Sequence, residues 1–233
     1  MSGWDAVWAR RVAQRGGASL LADLMAADGL DSGFASVAPD AFSDGVRRLA
    51  RRLGLVEGSS AFEVGCGAGA FLHELAAIGC EISGLDLSPD LIARAREALP
   101  SGTFSIGDAA SLPCWPQADA VLSFGVFLYF PSPAYAEEVL DRMVAKARRV
   151  VAVLDLPDMA RRGADICRRV ELAGGEAAYT ERYRGLEHLY FRRAEVAGAL
   201  TARGLVDVTV ESQSLEGYGN GPFRFNAWGY KPR

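Results

Sequence analysis

The sequence predicts an α/β fold built on a doubly wound, mostly parallel seven-stranded sheet, with an antiparallel hairpin at its C-terminus and helices at its N-terminus. From residue 59 onward, short apolar runs alternate with segments of helical periodicity, which favours parallel strands joined by helices. A glycine-rich turn follows the first apolar run. The last two runs, at 205–212 and 223–230, have no helix between them and should therefore pair antiparallel.

Composition indicates a protein with its own hydrophobic core. The chain has 233 residues, of which 50% are hydrophobic and 23% charged, as in ordinary globular domains. The formal net charge is -4 and no long Lys/Arg run occurs, so a nucleic-acid partner is not expected. No apolar run reaches the length of a membrane span, and no apolar signal segment begins the chain, so we expect no membrane partner.

The cysteines and histidines do not suggest a metal site. Four cysteines are scattered without a C-x-x-C pair, and the chain has two histidines. We therefore expect neither a structural metal nor a disulfide framework, which is typical of a cytoplasmic protein. The sequence leaves the oligomeric state open.

Residues 4–53 have the periodicity of three helices. The apolar positions of 4–14 and 18–29 recur at helical spacing, and Pro39 and Asp40 open a third helix that ends before Gly54. These helices are not part of a minimal doubly wound sheet. We predict that residues 1–57 form an N-terminal helical cap.

The remaining elements follow in regular alternation. Ser88 can cap one helix and Pro89 suits its first position. The predicted strands are 60–65, 81–86, 103–108, 118–125, 149–156, 205–212 and 223–230. The predicted helices between them are 70–79, 88–99, 133–149, 158–173 and 192–204.

The turn after the first strand, "EVGCGAG" at residues 63–69, predicts a nucleotide-like ligand. Glycines let the ligand approach backbone N–H groups at the start of a helix. Gly65, Gly67 and Ala70 also satisfy the dinucleotide pattern G-x-G-x-x-G/A, so the turn alone does not select one cofactor. Glu63 would repel a pyrophosphate but could bind the ammonium of a ligand that carries an amino acid.

An acid at the end of the second strand supports a nucleoside. Asp86 lies 21 positions after Gly65, where a carboxylate can accept hydrogen bonds from a ribose diol. Dinucleotides and S-adenosylmethionine both contain a ribose that needs this contact, so Asp86 does not distinguish the two cofactors.

Residues 59–155, with "EVGCGAG", the motif "GDAASLP" and the strand "ADAVLSFG", resemble class I S-adenosylmethionine-dependent methyltransferases. The resemblance implies a Rossmann-like methyltransferase domain over 58–233. It implies S-adenosylmethionine as cofactor and S-adenosylhomocysteine as product. Helices before this domain commonly cover the cofactor in that family.

The same resemblance implies the cofactor contacts. Asp108 of "GDAASLP" would accept a hydrogen bond from the adenine amino group. Asp119 would lie at the start of a strand that ends beside the cofactor. The predicted cofactor-binding residues are Glu63, Gly65, Cys66, Gly67, Gly69, Asp86, Leu87, Asp108, Ala109, Ala110, Ser123 and Phe124.

The methyl acceptor should bind beyond the carboxyl ends of the strands, where an insertion at about 156–190 contributes. His188 is the leading candidate for a catalytic base, because imidazole titrates near neutrality. Asp155 is a second catalytic candidate, as a base or to orient a hydroxyl. The predicted substrate-binding residues are Phe127, Tyr129, Tyr179, Tyr183 and Tyr190.

We therefore predict methylation of a hydroxyl or amine of a small molecule, such as a specialised metabolite. The segment "SFGVFLYF" lacks the Asn/Asp-Pro-Pro-Tyr/Phe signature of many amino-group nucleic-acid methyltransferases. One alternative is an NAD(P)-dependent oxidoreductase, which explains neither Glu63 nor the final hairpin. A non-catalytic S-adenosylmethionine-binding protein is the other alternative.

Overall fold

The computed structural model describes residues 3–9, 16–30 and 35–232. Its strands are β1 (Ser60–Val64), β2 (Glu81–Asp86), β3 (Thr103–Ile106), β4 (Ala118–Phe124), β5 (Ala147–Pro157), β6 (Val206–Ser212) and β7 (Arg224–Tyr230). Its helices are α1 (Gly3–Ala9), α2 (Leu20–Ala27), α3 (Pro39–Arg52), α4 (Ala70–Ala77), α5 (Pro89–Ala98), α6 (Pro133–Lys146), α7 (Arg162–Ala173), α8 (Glu176–Arg182) and α9 (Arg193–Ala202).

The strands form one seven-stranded sheet in the order β3-β2-β1-β4-β5-β7-β6. Strands β1 to β5 are parallel, and β7 runs antiparallel to both β5 and β6. This arrangement confirms the predicted α/β fold with its C-terminal hairpin. The chain reverses direction along the sheet between β1 and β4, the point at which open α/β sheets bind ligands.

Local signals set the helix starts much as expected. The hydroxyl of Ser88 accepts from the Leu91 N–H at 3.4 Å, and Pro89 is the first residue of α5. Ser132 caps α6 in the same way through the Tyr135 N–H at 3.2 Å. Strand β5 is longer than predicted, since it begins at Ala147 and extends to Pro157.

Helices cover both faces of the sheet. One core contains buried residues of α2 to α5, such as Leu24, Phe42 and Leu72, and the other packs α6 and α9 through residues such as Met143 and Leu200. Helices α2 and α3 thus share a core with the sheet. The predicted division at residue 57 lies within this shared packing, and its use as a domain boundary stays a prediction.

The insertion between β5 and α9 contains α7 and α8, and its two ends are held together. The Phe191 N–H donates to the carbonyl of Pro157, and the Met159 N–H donates to the carbonyl of Phe191, both at 2.8 Å. The insertion therefore leaves the sheet and returns at the carboxyl end of β5. Among the helices at 3–9, 16–30 and 35–232, none has the length and apolar composition to cross a bilayer.

Candidate active site

A cavity of about 690 Å³ lies at the carboxyl ends of the parallel strands. Its wall begins at the glycine turn after β1 and passes the ends of β2, β3, β4 and β5. It continues to α1, α7 and the start of β7. The cavity therefore occupies the position that the doubly wound topology assigns to a ligand.

The glycine turn is folded tightly against β2. The N–H groups of Gly65 and Cys66 both donate to the carbonyl of Leu85, at 2.7 and 3.1 Å. Gly65 has φ +74°, and a Cβ on it would overlap the side chain of Val126. The turn thus requires glycine both for its backbone angle and for the close approach of the loop after β4.

Asp28, which no sequence motif indicated, caps the helix that follows this turn. Its Oδ1 accepts from the Ala68 N–H at 2.6 Å and its Oδ2 from the Ala70 N–H at 3.0 Å. A Cβ on Gly67, where φ is +53°, would overlap this carboxylate. The N-terminus of α4 is therefore neutralised by a carboxylate from the end of α2.

Glu63 is a buried acid at the cavity wall. Its side chain is 3% exposed, and its Oε2 has no hydrogen-bond partner among the residues the structure describes. Burial, together with Asp28 and Asp86, raises the pKa of Glu63 well above its ordinary value. Such a carboxyl group is suited to a ligand that brings a cation or hydrogen-bond donors.

Asp86 joins the turn to the end of β2. Its Oδ2 accepts from the Gly67 N–H at 2.9 Å and its Oδ1 from the Ser88 N–H at 2.8 Å. Burial raises the pKa of Asp86, while these amide contacts oppose the rise. Each carboxylate oxygen retains a second lone pair, so a cavity ligand can still donate to it.

Asp108 follows β3 and is held by a residue of α6. Its Oδ1 accepts from the Ala110 N–H at 2.9 Å and from the Tyr135 hydroxyl at 2.7 Å. Both Asp108 and Tyr135 line the cavity. The sequence did not indicate Tyr135, because it lies 27 positions from Asp108 in a helix pattern that is typical of packing.

Most of the predicted cofactor residues lie at this end of the cavity. Those that line it are Glu63, Gly65, Cys66, Gly67, Asp86, Leu87, Asp108, Ala109 and Phe124.

Burial and the carboxylates of Asp86 and Glu63 raise the pKa of the Cys66 thiol well above its ordinary value, so the thiol stays protonated at neutral pH.

Three predicted cofactor residues lie outside the lining. Gly69 is the N-cap of α4, and the Ala110 N–H is used by Asp108. Ser123 is fully buried and donates to the carbonyl of Val64 at 2.9 Å, which links β4 to β1. The hydroxyl of Ser123 is therefore used within the sheet, and the predicted role of Ser123 at the cofactor stays a prediction.

The opposite end of the cavity has an aromatic wall. Trp4 stacks on His188 with ring centroids 4.7 Å apart and contacts Tyr129 at 4.8 Å, while Tyr183 lies 6.1 Å from His188. The Trp4 indole N–H donates to the carbonyl of Glu187 at 3.0 Å. All four aromatic side chains line the cavity.

His188 is uncharged at neutral pH in this environment. Burial, followed by the positive charges of Arg169 and Arg224, lowers its pKa to about 3. The imidazole can accept a hydrogen bond from a ligand, but it is a weaker base than its ordinary pKa implies. The catalytic base role of His188 stays a prediction.

Three predicted substrate residues are engaged elsewhere. Phe127 is buried in the core and packs on Phe130 at 4.8 Å. The Tyr190 hydroxyl donates to Asp165 at 2.8 Å, and Tyr179 packs on Tyr183 at 4.9 Å. These three residues are not part of the cavity lining, whereas Tyr129 and Tyr183 are, and the substrate contacts of all five stay predictions.

Asp155 lies at an irregularity of β5, and each of its carboxylate oxygens accepts a hydrogen bond. Its Oδ1 accepts from Gln213 at 3.1 Å, its Oδ2 accepts from the Tyr218 hydroxyl at 2.8 Å, and its N–H donates to Asn226 at 2.9 Å. Its φ of +60° is unusual for a residue other than glycine, and such strain clusters at functional sites. Asp155 lines the cavity, and its catalytic role stays a prediction.

Two buried arginines complete this end of the cavity, and the sequence did not reveal either of them. Arg169 lies on α7 and donates to Asp165 at 3.0 Å, while Arg224 begins β7. The sequence of β7 does contain a pattern that indicates Arg224. In this strand, which pairs on both sides, the polar residues Arg224 and Asn226 alternate with the apolar residues Phe225 and Ala227. Such alternation marks a polar face next to an apolar one.

The part of the chain that the structure describes contains no group of three or more His, Cys, Asp or Glu side chains placed to hold a metal ion.

Comparisons with known proteins agree with the site. Residues 61–152 match the family described as "Methyltransferase domain". A magnesium-protoporphyrin O-methyltransferase of Rhodobacter capsulatus is 33% identical over 81 residues, which is 33% of this chain and 36% of that protein. The match thus spans about a third of the length of that relative.

Solved structures share the fold over nearly the whole chain. The magnesium protoporphyrin IX methyltransferase of Synechocystis PCC 6803 with bound S-adenosylhomocysteine has a TM-score of 0.61 and 16% identity, with 99% of this chain and 95% of that chain covered. A Haloferax volcanii protein solved with the Trm112 methyltransferase activator has a TM-score of 0.67 and 17% identity, with coverages of 100% and 99%.

The cofactor of the matched family is S-adenosylmethionine, and similar structures were solved with S-adenosylmethionine or its product bound. Residues 61–152 thus match a methyltransferase domain, and the chain as a whole shares the fold of solved methyltransferase structures.

Proposed function

We propose that this protein transfers the methyl group of S-adenosylmethionine to a hydroxyl or amine of a small molecule. One observation carries the proposal. The carboxyl groups of Glu63, Asp86 and Asp108, which follow or end three adjacent strands, line the same cavity as the glycine turn. The cavity then continues to an aromatic and polar region with room for an acceptor.

The residues present fit the cofactor. Glu63 has a buried oxygen without a partner among the described residues, and this oxygen would accept from the ammonium of the methionine part. Asp86 would accept hydrogen bonds from the ribose hydroxyls. Asp108, which accepts a hydrogen bond from the Tyr135 hydroxyl, would accept another from the adenine amino group. The bound cofactor supplies a methyl carbon activated by a sulfonium, so the protein has mainly to position the acceptor.

The helix after the glycine turn argues against the dinucleotide alternative. Dinucleotides place a pyrophosphate at this helix N-terminus. Here the carboxylate of Asp28 already accepts from the N–H groups of Ala68 and Ala70. A pyrophosphate would have to displace Asp28 and would meet the negative charge of Asp86 nearby, so an NAD(P)-dependent oxidoreductase is disfavoured.

At the acceptor end, His188 is the side chain best suited to receive a hydrogen bond from the acceptor. It lines the cavity, and its lowered pKa keeps it uncharged. Asp155 accepts hydrogen bonds from Gln213 and Tyr218 and so orients these groups. An uncharged amine could attack the methyl group without a strong base, whereas a hydroxyl would rely on proton transfer to His188 during the reaction.

The size of the cavity supports a small acceptor. Its volume of about 690 Å³ lies within the range typical of small-molecule sites. The negative net charge gives no support for a nucleic-acid substrate. A role in specialised metabolism and a cytoplasmic location stay predictions.

Calorimetry with S-adenosylhomocysteine and with NADH tests the cofactor assignment. We expect S-adenosylhomocysteine to bind and NADH not to bind. Asp86→Asn should weaken binding about tenfold, since it replaces a charged acceptor of the ribose. Asp44→Asn, which alters an exposed acid of α3, is the matched control and should leave the affinity unchanged. Binding of NADH alone would overturn the proposal.

Turnover separates an enzyme from a non-catalytic binding protein. Formation of S-adenosylhomocysteine should be measured with a panel of small hydroxyl and amine compounds. His188→Gln should lower kcat for an accepted compound and leave cofactor affinity unchanged. Binding of the cofactor without turnover of any compound would favour the non-catalytic alternative.

A further inference from the structure

Arg224 has buried hydrogen-bond donors that nothing in the described structure uses. The residue is 3% exposed, and neither its Nε nor its Nη1 has a hydrogen-bond partner among the described residues. The side chain lines the cavity. Buried charged donors without partners are costly, so their persistence next to a cavity points to a ligand.

The nearest carboxylate does not satisfy these donors. Asp155 Oδ2 lies 3.8 Å from Arg224 Nε, which is beyond hydrogen-bond distance. The oxygens of Asp155 instead accept from Tyr218 and Gln213. Asp155 therefore balances the charge of Arg224 and leaves its N–H groups available.

The position of Arg224 in the sheet indicates that its side chain contacts the methyl acceptor and not the cofactor. The proposed cofactor contacts follow β3, β2, β1 and β4, on one side of the sheet. Arg224 begins β7, where it pairs with Pro157 at the end of β5. With neighbouring strands about 4.8 Å apart, β7 lies about 19 Å across the sheet from the ribose-binding acid of β2.

A second arginine makes this end of the cavity more positive. Arg169 is buried on the same wall and donates to Asp165, which also accepts from the Tyr190 hydroxyl. Both arginines lower the pKa of His188, so their positive charge acts at the aromatic wall. An anion in this region would face two cations.

We propose that the methyl acceptor carries an oxyanion, a carboxylate or a phosphate, which binds to the guanidinium of Arg224 beside the aromatic wall. This inference rests on the proposed function, since it concerns the acceptor of that reaction. A guanidinium offers parallel N–H groups that match an oxyanion in a way that an ammonium does not. Arg224 is therefore a residue that determines acceptor specificity.

Calorimetry on protein saturated with S-adenosylhomocysteine tests the proposal with three aromatic probes. Benzoate and phenyl phosphate carry the two oxyanions, and benzamide is the uncharged control. We expect at least one anion to bind about tenfold more tightly than benzamide. A preference for benzoate would indicate a carboxylate, and a preference for phenyl phosphate would indicate a phosphate. Equal binding of all three probes would overturn the proposal.

Variants of Arg224 complete the test. Arg224→Met should abolish the preference for the anion while S-adenosylhomocysteine still binds. Arg94→Met is the matched control, because Arg94 is 8% exposed, has an Nε without a hydrogen-bond partner among the described residues and lies outside the cavity. Loss of S-adenosylhomocysteine binding in a folded Arg224→Met protein would place Arg224 on the cofactor and overturn the proposal.

Two further outcomes are decisive. If Arg224→Met does not fold, Arg224→Lys decides, since it keeps the charge but not the planar group, and an unchanged anion preference would then overturn the proposal. If S-adenosylhomocysteine does not bind the wild-type protein, the proposed function fails. The same probes titrated into the cofactor-free protein then test the oxyanion site by itself.

Discussion

Asp28 caps the helix that begins at Ala70, with its Oδ2 3.0 Å from the Ala70 nitrogen. The two residues are 42 positions apart and belong to different segments of the fold. This contact connects the N-terminal helices to the glycine turn and replaces the anion that a dinucleotide would bring. Because the Asp28 carboxylate occupies the place of that anion, the packing of the N-terminal segment against the turn also disfavours a cofactor with a pyrophosphate.

Removal of this cap should destabilise the protein. Asp28→Ala leaves the N–H groups of Ala68 and Ala70 without their acceptor, and we expect a loss of about 1 kcal/mol in the free energy of unfolding. Urea denaturation measures the loss. Asp44→Ala removes an exposed acid of α3 and should change stability far less. Equal stability of the two variants would contradict the capping role.

Gly67 should not tolerate a side chain. Its φ of +53° disfavours L-residues by about 1–2 kcal/mol, and a Cβ there would overlap the Asp28 carboxylate. We expect Gly67→Ala to lower both stability and the affinity for S-adenosylhomocysteine, as measured by urea denaturation and calorimetry.

Gly198→Ala is the matched control for this substitution. Gly198 lies inside α9, and a Cβ added there would meet open space, so alanine should stabilise the protein by about 0.5–1 kcal/mol. If both glycine variants behaved alike, the close approach of Asp28 to the turn would not matter.

The sequence predicted the features that depend on nearby residues. The glycine turn, Glu63, Asp86 and Asp108 all occupy strand ends, and alternating strands and helices place such ends on one edge of a parallel sheet. The final hairpin followed from the missing helix between its strands. These signals are local, so the order of residues along the chain suffices to recognise them.

The acceptor end depends on contacts between distant segments, and there the predictions were weaker. Phe127, for example, is of a residue type that is common in binding sites, but its side chain is buried in the core. Arg224 reaches the acceptor end only because β7 packs at the edge of the cavity, just as Asp28 reaches the glycine turn only because α2 packs there. No short motif records such packing.

The pH dependence of stability should report the environment of His188. Its pKa is about 3 in the folded protein and about 6.5 in an unfolded chain. Between these values the unfolded chain binds a proton that the folded protein does not, so stability should fall as the pH falls from 6.5 toward 3. Urea denaturation at about pH 7, 6 and 5 measures this fall.

The variant His188→Gln should lose this part of the pH dependence. The other ionisable groups still titrate, so the comparison with the wild-type slope isolates His188. Identical slopes in the wild-type protein and in His188→Gln would contradict the burial of His188 beside two arginines.

The contact between Tyr135 and Asp108 should contribute to cofactor affinity. Tyr135→Phe removes the hydroxyl that donates to Asp108 at 2.7 Å, so the carboxylate is less firmly oriented toward the adenine position. We expect a loss of about threefold to tenfold in the affinity for S-adenosylhomocysteine, the usual effect of one hydrogen bond. Tyr230→Phe is the matched control, since its hydroxyl donates to the carbonyl of Arg52 at 2.7 Å, away from the cavity. An equal loss of affinity in both variants would show that Tyr135 acts through general stability and not through Asp108.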